Sequence, residues 1–405
     1  MAMADWKHVS GGVTAAAGYR AAGVHSGIKF KNADLALVVS QPPAAVAGTF
    51  TQNKVQAAPV KLCRARLAGG KASAIVINSG SANACTGPQG ILDAERMTQM
   101  VAQSLGVSEE TVFCCSTGTI GKPLPMDKIQ AGITLAAASL SEHGGDTAAK
   151  AIMTTDAVDK QVAVELRVDG RKVRIGGMCK GAGMIAPNMA TMLGFLTTDA
   201  AAEQPALQTC LLAAVRQSFN RISVDGDQST NDTVLLLANG VAGNRPLNAA
   251  HPDWPLFCAA VAEVSRELAF KIVKDGEGAT RFVTVTVKGA ASDADATKAA
   301  RAIANSLLVK TSWYGGDPNW GRVNAAVGYS GADVDPDRVE IRFDGVCAIR
   351  NGHKAPEFAL KELEKIMAQK AFGLEVDLHL GQGADTIYTC DCSIEYVKIN
   401  SEYTT

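Results

Sequence analysis

Short aliphatic and β-branched runs alternate with amphipathic helical patterns along this chain, and that alternation restricts it to a mixed α/β architecture. Apolar positions three and four apart predict helices over 93–105, 206–219, 256–272, 296–308 and 356–368. Strand-like runs occupy 74–77, 162–168, 172–175, 234–237, 282–287, 339–343 and 374–378. Asp169-Gly170 joins two of these runs as a hairpin turn. Polar residues alternate with apolar ones in several strands, so sheets with one wet face are expected. The sequence has no internal repeat and no Ser/Pro-rich linker to mark a domain boundary.

Charge narrows the class of partner. Lys plus Arg total 39 against 40 for Asp plus Glu, a formal net charge of -1, so no bulk field favours nucleic acid or an anionic membrane. A small-molecule partner is expected. With 47% hydrophobic residues in 405, the chain can bury a large core, yet no apolar run approaches the roughly 20 residues of a membrane helix. The opening MAMADWKHVSGG has neither an apolar signal core nor an Arg-rich arm, which sets the expected location as cytoplasmic. The 10 cysteines are scattered and expected to be reduced thiols. Neither Cys114-Cys115 nor the Cys390 and Cys392 pair has metal-ligand spacing, and the six histidines are dispersed, so no metal site is expected.

Glycine, asparagine and hydroxyl residues gather in short patterned loops. Asn78-Ser79-Gly80-Ser81-Ala82-Asn83-Ala84-Cys85-Thr86-Gly87 follows one apolar strand, and Ser116-Thr117-Gly118-Thr119-Ile120-Gly121 follows another. Turn chemistry accounts for each alone. A hydroxyl beside a glycine amide, as in Thr117-Gly118, also offers the two convergent donors of an oxyanion hole. Residues 176–183, GGMCKGAG, fit neither the phosphate-loop nor the dinucleotide fingerprint and are not read as a nucleotide site.

That flexible stretch leads to Asn188-Met189-Ala190-Thr191-Met192-Leu193-Gly194-Phe195, where Thr191 opens an apolar run. A threonine becomes an effective nucleophile when its own free α-amine serves as general base. Thr191 acquires that amine only if the Ala190-Thr191 bond is cut, and a glycine-flanked turn would let its hydroxyl attack the Ala190 carbonyl. Three further polar loops, 220–233, 275–282 and 317–322, cluster acids, arginines and hydroxyls between apolar elements. Glu277, in Gly276-Glu277-Gly278, suits a cationic amine, and Lys180 suits a carboxylate, so together they would recognise a zwitterionic amino acid.

These motifs, in order, resemble the ornithine acetyltransferases, or glutamate N-acetyltransferases. The match runs through NSGSANACTG (78–87), STGTIGKPLPMDKI (116–129), IMTTD (152–156), KGAGMIAPNMATML (180–193), NRISVDGDQSTNDT (220–233), DGEGATRF (275–282), DPNWGR (317–322) and YVKIN (396–400). Ser81 stands where the family pattern has asparagine, and the tail SEYTT differs from the commoner ADYRT. The resemblance implies a self-processing acyltransferase of arginine biosynthesis with an αββα-type layered fold of the N-terminal-nucleophile kind. It implies cleavage into an α chain, 1–190, and a β chain, 191–405, that together form one catalytic unit, commonly an α2β2 heterotetramer. By the same resemblance Thr117 and Gly118 form the oxyanion pair, while Thr154, Lys180, Thr191, Glu277, Asn400 and Thr405 bind substrate. Thr191 would carry the acetyl group from N2-acetyl-L-ornithine to L-glutamate with no cofactor. Some family members also charge this threonine from acetyl-CoA as co-substrate. A related N-terminal-nucleophile aminopeptidase or amidohydrolase, passing the acyl group to water, and a non-catalytic amino-acid-binding protein are the alternatives.

Overall fold

The computed structural model describes residues 5–186 and 192–402. Ala190, Thr191 and Thr405, and with them the expected cleavage site, lie outside the described residues.

Fifteen strands are described: β1 (Trp6–His8), β2 (Tyr19–Val24), β3 (Leu35–Phe50), β4 (Lys71–Ser81), β5 (Val112–Thr119), β6 (Lys160–Val168), β7 (Arg171–Lys180), β8 (Leu193–Thr198), β9 (Thr233–Ala238), β10 (Phe282–Ala290), β11 (Glu340–Phe343), β12 (Val346–Arg350), β13 (His353–Lys354), β14 (Ala371–Asp377) and β15 (Gly383–Cys390). They form two mixed sheets. Among the described residues the first has nine strands, ordered β1-β6-β7-β8-β9-β3-β4-β5 with β2 paired to β3, and the second has six, ordered β13-β12-β11-β14-β10-β15. The layered α/β class expected from the sequence is borne out.

The first sheet holds two cores. One joins β2 to β5 with Val60 and Cys63 of the helix Ala58–Arg66, Met97 and Val101 of Gly87–Leu105, and Ile129 and Ile133 of Met126–Ala138. The other joins β6 and β7 with Leu207 and Leu211 of Gln204–Gln217 and with Val264, Leu268 and Ile272 of Trp254–Lys274. Strands β8 and β9 separate them. Leu193, Phe195, Leu235 and Leu237 point into the first core, while Leu196, Val234 and Leu236 point into the second. Both strands are therefore buried on two faces and read as continuous apolar runs. The second sheet behaves as alternation predicts: Val283, Val285 and Val287 enter a third core, and the intervening Thr284 and Thr286 stay half-exposed.

Several boundaries differ from expectation for identifiable reasons. Ser116 to Thr119 belong to β5 because parallel pairing with β4 continues through Ser79↔Thr117 and Gly80↔Gly118. The expected helix 296–308 divides into Asp293–Asn305 and Leu307–Tyr314, since extended Ser306 caps the second by accepting from the Val309 N–H. The 317–322 loop is the entry to a helix, Trp320–Gly328, with the Asn319 side chain as its cap. The Asp169-Gly170 hairpin is present, both residues in the left-handed region. Among the described residues no helix is long and apolar enough to cross a membrane.

Candidate active site

A cavity of about 230 Å³ opens where the carboxyl ends of β4, β5 and β7 meet the start of β8. Six expected site residues line it: Thr117, Gly118, Thr154, Lys180, Glu277 and Asn400. They come from β5, the loop after the helix Gly145–Ala151, β7, the 275–278 turn and the last described helix, Ile394–Glu402. Residues scattered over the sequence are thus brought to one place. The expected loop at 317–322 is not: none of its residues lines the cavity, and Arg322 is spent on the Leu308 carbonyl at 2.8 Å.

Thr117 and Gly118 are fixed by backbone contact. Gly118 has φ +125°, and a Cβ there would lie 2.5 Å from the Gly80 carbonyl carbon, so the close approach of β4 and β5 requires glycine. The turn beneath is held by Asn78, whose Nδ2 donates to the Ser81 carbonyl at 2.9 Å and whose Oδ1 accepts from Ser116 Oγ at 2.6 Å. Asn231 ties the acidic 225–232 loop to the same strand ends, donating to the Ala82 carbonyl at 2.6 Å and the Ser116 carbonyl at 2.8 Å.

Lys180 is the central cation. Its Nζ donates to Thr154 Oγ1 at 2.8 Å and to Thr117 Oγ1 at 3.2 Å. Accepting from an ammonium leaves the Thr117 hydroxyl its proton to donate, which suits it to a developing oxyanion. Burial lowers the pKa of Lys180, opposed by the charge of Asp156. Both Thr154 and Thr155 border the cavity, and it is Thr154 that receives Lys180.

Glu277 sits across the cavity with its carboxylate accepting from Asn400 Nδ2 at 2.7 Å. Gly183 makes room for it, since a Cβ at that position would lie 2.5 Å from Glu277 Oε1. One wall thus presents an ammonium and another a carboxylate, the complement of a zwitterion.

Both flanks of the 187–191 segment are anchored at this cavity. Asp225 accepts from the backbone N–H groups of Met184, at 2.6 Å, and Ile185, at 2.8 Å, and Thr233 N donates to the Met192 carbonyl at 3.1 Å. Met184 and Met192 both line the cavity. Burial pushes the carboxyl of Asp232 well above the ordinary carboxylate range, against hydrogen bonds from Ser229 and the Met192 N–H. Asp225, Asn231 and Asp232 are not distinguished within the 220–233 loop by sequence alone; their one signal there is the density of Asx residues just before an apolar strand.

One group of metal-ligating type occurs among the described residues, Asp169, His251 and Asp253, outside the cavity lining. It is internally satisfied: Asp253 N donates to His251 Nδ1 at 3.1 Å, so His251 Nε2 carries the proton and donates to Asp169, which also receives Arg245 at 2.6 Å. All ten cysteines are free thiols.

A family model described as the ArgJ family matches residues 20–405. The chain belongs to the ArgJ family. Among its relatives, the "Arginine biosynthesis bifunctional protein ArgJ" of Symbiobacterium thermophilum is 50% identical over 404 residues, covering 99% of this chain and 100% of that protein. The protein of the same description from Geobacter sulfurreducens is 51% identical over 389 residues, covering 96% and 99%. Among solved structures, the arginine biosynthesis bifunctional protein argJ of Bacillus halodurans has a TM-score of 0.50 at 40% identity and matches 52% of this chain with 98% of its own. The resemblance read from the ordered motifs is therefore correct, and the chain is an acyltransferase of the ArgJ family.

Proposed function

We propose that this ArgJ-family chain cuts itself before Thr191 and then moves an acetyl group from N2-acetyl-L-ornithine to L-glutamate, giving L-ornithine and N-acetyl-L-glutamate for arginine biosynthesis. The observation that carries the reading is the Lys180–Thr117 contact at 3.2 Å, in a cavity bordered by Met184 and Met192 on either side of the cleavage segment.

Self-cleavage begins with attack of the Thr191 hydroxyl on the Ala190 carbonyl, which transfers the acyl group from nitrogen to oxygen and frees the Thr191 amine. Water then hydrolyses the ester, leaving an Ala190 carboxylate and an α-amine beside the nucleophile. In turnover that amine takes the hydroxyl proton as Thr191 attacks the acetyl carbonyl of acetylornithine. The Thr117 hydroxyl and Gly118 N–H stabilise the oxyanion, and the departing ornithine nitrogen takes the proton back. Glutamate repeats these steps in reverse direction through its own amine. Lys180 and Thr154 hold the substrate carboxylate, Glu277 with Asn400 holds the cationic end of ornithine, and Thr405 is a further substrate-binding residue.

The α chain (1–190) and β chain (191–405) stay together as one unit, assembled as α2β2 in the cytoplasm, with no metal or bound cofactor. Acetyl-CoA is a second acetyl donor to the same threonine. A solved family chain that aligns over 98% of its length yet matches 52% of this one supports a two-chain product, because the proposed β chain is slightly more than half of the precursor.

The test is a half-reaction. Protein mixed with N2-acetyl-L-ornithine and no glutamate should release one equivalent of ornithine per site and gain the mass of one acetyl group on the fragment beginning at Thr191. Continuous ornithine release indifferent to glutamate would instead identify an aminopeptidase or amidohydrolase, and binding without release would identify a non-catalytic receptor.

A further inference from the structure

Behind the cavity wall a chain of buried charges connects the elements that carry Thr154, Lys180 and Glu277. Asp156 accepts from Thr154 N at 3.0 Å through one carboxylate oxygen, and from Gly181 N at 2.7 Å through the other. That second oxygen also receives Lys160 Nζ at 2.7 Å. Lys160 is fully buried at the start of β6 and reaches on to Asp275 at 2.5 Å, two residues before Glu277. Asp275 in turn accepts from Ala157 N at 3.1 Å, in the loop that carries Thr154.

This arrangement is costly as a mere fastening. Charges removed from water lose hydration that their pairing repays only in part, and apolar replacements of buried ion pairs are often neutral for stability. What an ionic strut supplies is fixed geometry and charge balance: with Lys180 included, two lysines face two aspartates. Resting on the reading above, in which Thr154, Lys180 and Glu277 hold substrate, we infer that Asp156, Lys160 and Asp275 are positioning residues of the acetyl-transfer site, a buried strut that fixes these three groups relative to one another and balances the charge of Lys180. The groups facing Lys180 are Asp156, Lys160, Glu277 and Asp232, while Lys29 and Cys179 feel its charge in return. Asp156 supports the ammonium and Lys160 opposes it, so the two partners act on Lys180 with opposite sign.

That opposition gives a test a structural role alone would not pass. The full chain, labelled with 13C at the lysine ε-carbon, is titrated and the Lys180 resonance assigned by its loss in Lys180→Met. Asp156→Asn should move the Lys180 midpoint down by about one pH unit and Lys160→Met should move it up by about one, the range expected for a charge at close distance. Asp275→Asn keeps both lysines and should raise KM for N2-acetyl-L-ornithine about tenfold with a smaller change in kcat, by loosening the Glu277 turn that holds its cationic end. Midpoints that do not move, or move together, would overturn the strut. If Asp156→Asn does not fold, Lys160→Met and Asp275→Asn decide the matter: an unmoved midpoint or an unmoved KM refutes it. Failure of the wild-type protein to transfer acetyl groups would refute the functional reading instead, while the titration would still decide the charge coupling.

Discussion

Gly183→Ala isolates what the shape of the cavity contributes to turnover. The added Cβ would lie 2.5 Å from Glu277 Oε1, whereas ordinary contact begins at 3.4 Å, so the carboxylate must retreat by about 1 Å. Glu277 is buried and bonded to Asn400 at 2.7 Å, and a retreat of that size breaks this bond. Misplacing a substrate-holding group by about 1 Å lowers rate by about a hundredfold, or roughly 2.7 kcal/mol of transition-state stabilisation. The clash is with the end of a flexible side chain and not with backbone, so Tm should move by only about 2 °C. Steady-state kcat/KM for acetyl transfer, a thermal scan and a mass check of cleavage measure all three quantities. Adding Glu277→Asp, which withdraws the carboxylate by one methylene, should recover part of the loss. A cleaved, folded Gly183→Ala protein with wild-type kcat/KM would refute the placement of Glu277 in substrate binding.

Other consequences follow from the same geometry. Gly118→Ala places its Cβ 2.5 Å from the Gly80 backbone at a φ of +125°, so it should lose about 3 kcal/mol or more of stability by denaturant titration, unlike Gly183→Ala. Burial raises the carboxyl pKa of Asp156, but Lys180 and Lys160 outweigh it and bring it down to about 2 from 3.8. A depressed carboxylate stabilises the fold above its unfolded pKa, so about 2 kcal/mol should be lost as pH falls from about 4 to about 2. In Asp156→Asn that acid-dependent share should be missing from the pH–stability curve. Thr191→Ala should abolish both chain cleavage and acetyl transfer, read by denaturing electrophoresis and ornithine release, while leaving the fold intact.

What the sequence revealed of the site was its chemistry of small residues. Thr117-Gly118 and Gly276-Glu277-Gly278 stand out because hydroxyls and carboxylates beside glycine mark close backbone approach, and the structure sets both at the cavity. The strut was not legible. Asp156, Lys160 and Asp275 look like solvated loop charges one at a time, and the bond from Lys160 to Asp275 spans 115 residues, a pairing that no local pattern encodes. Long β3 was hidden by its Gln41-Pro42-Pro43-Ala44-Ala45 interior, which is poor in strand formers. The structure accommodates it by shifting register near Ala44 and passing the strand from β4 to β9. Ser116 to Thr119 misled in the opposite direction, because turn-forming residues there remain paired with β4. Helix 254–274, by contrast, was nearly complete in its periodicity, as expected when a long amphipathic face is buried against a sheet.

The central claim is that the chain works through a freed Thr191 amine, and intact mass spectrometry of the purified protein under denaturing conditions addresses it most directly. The account predicts two fragments, one ending at Ala190 and one beginning at Thr191, in a preparation that transfers acetyl groups. A single uncut chain with undiminished transfer would contradict it.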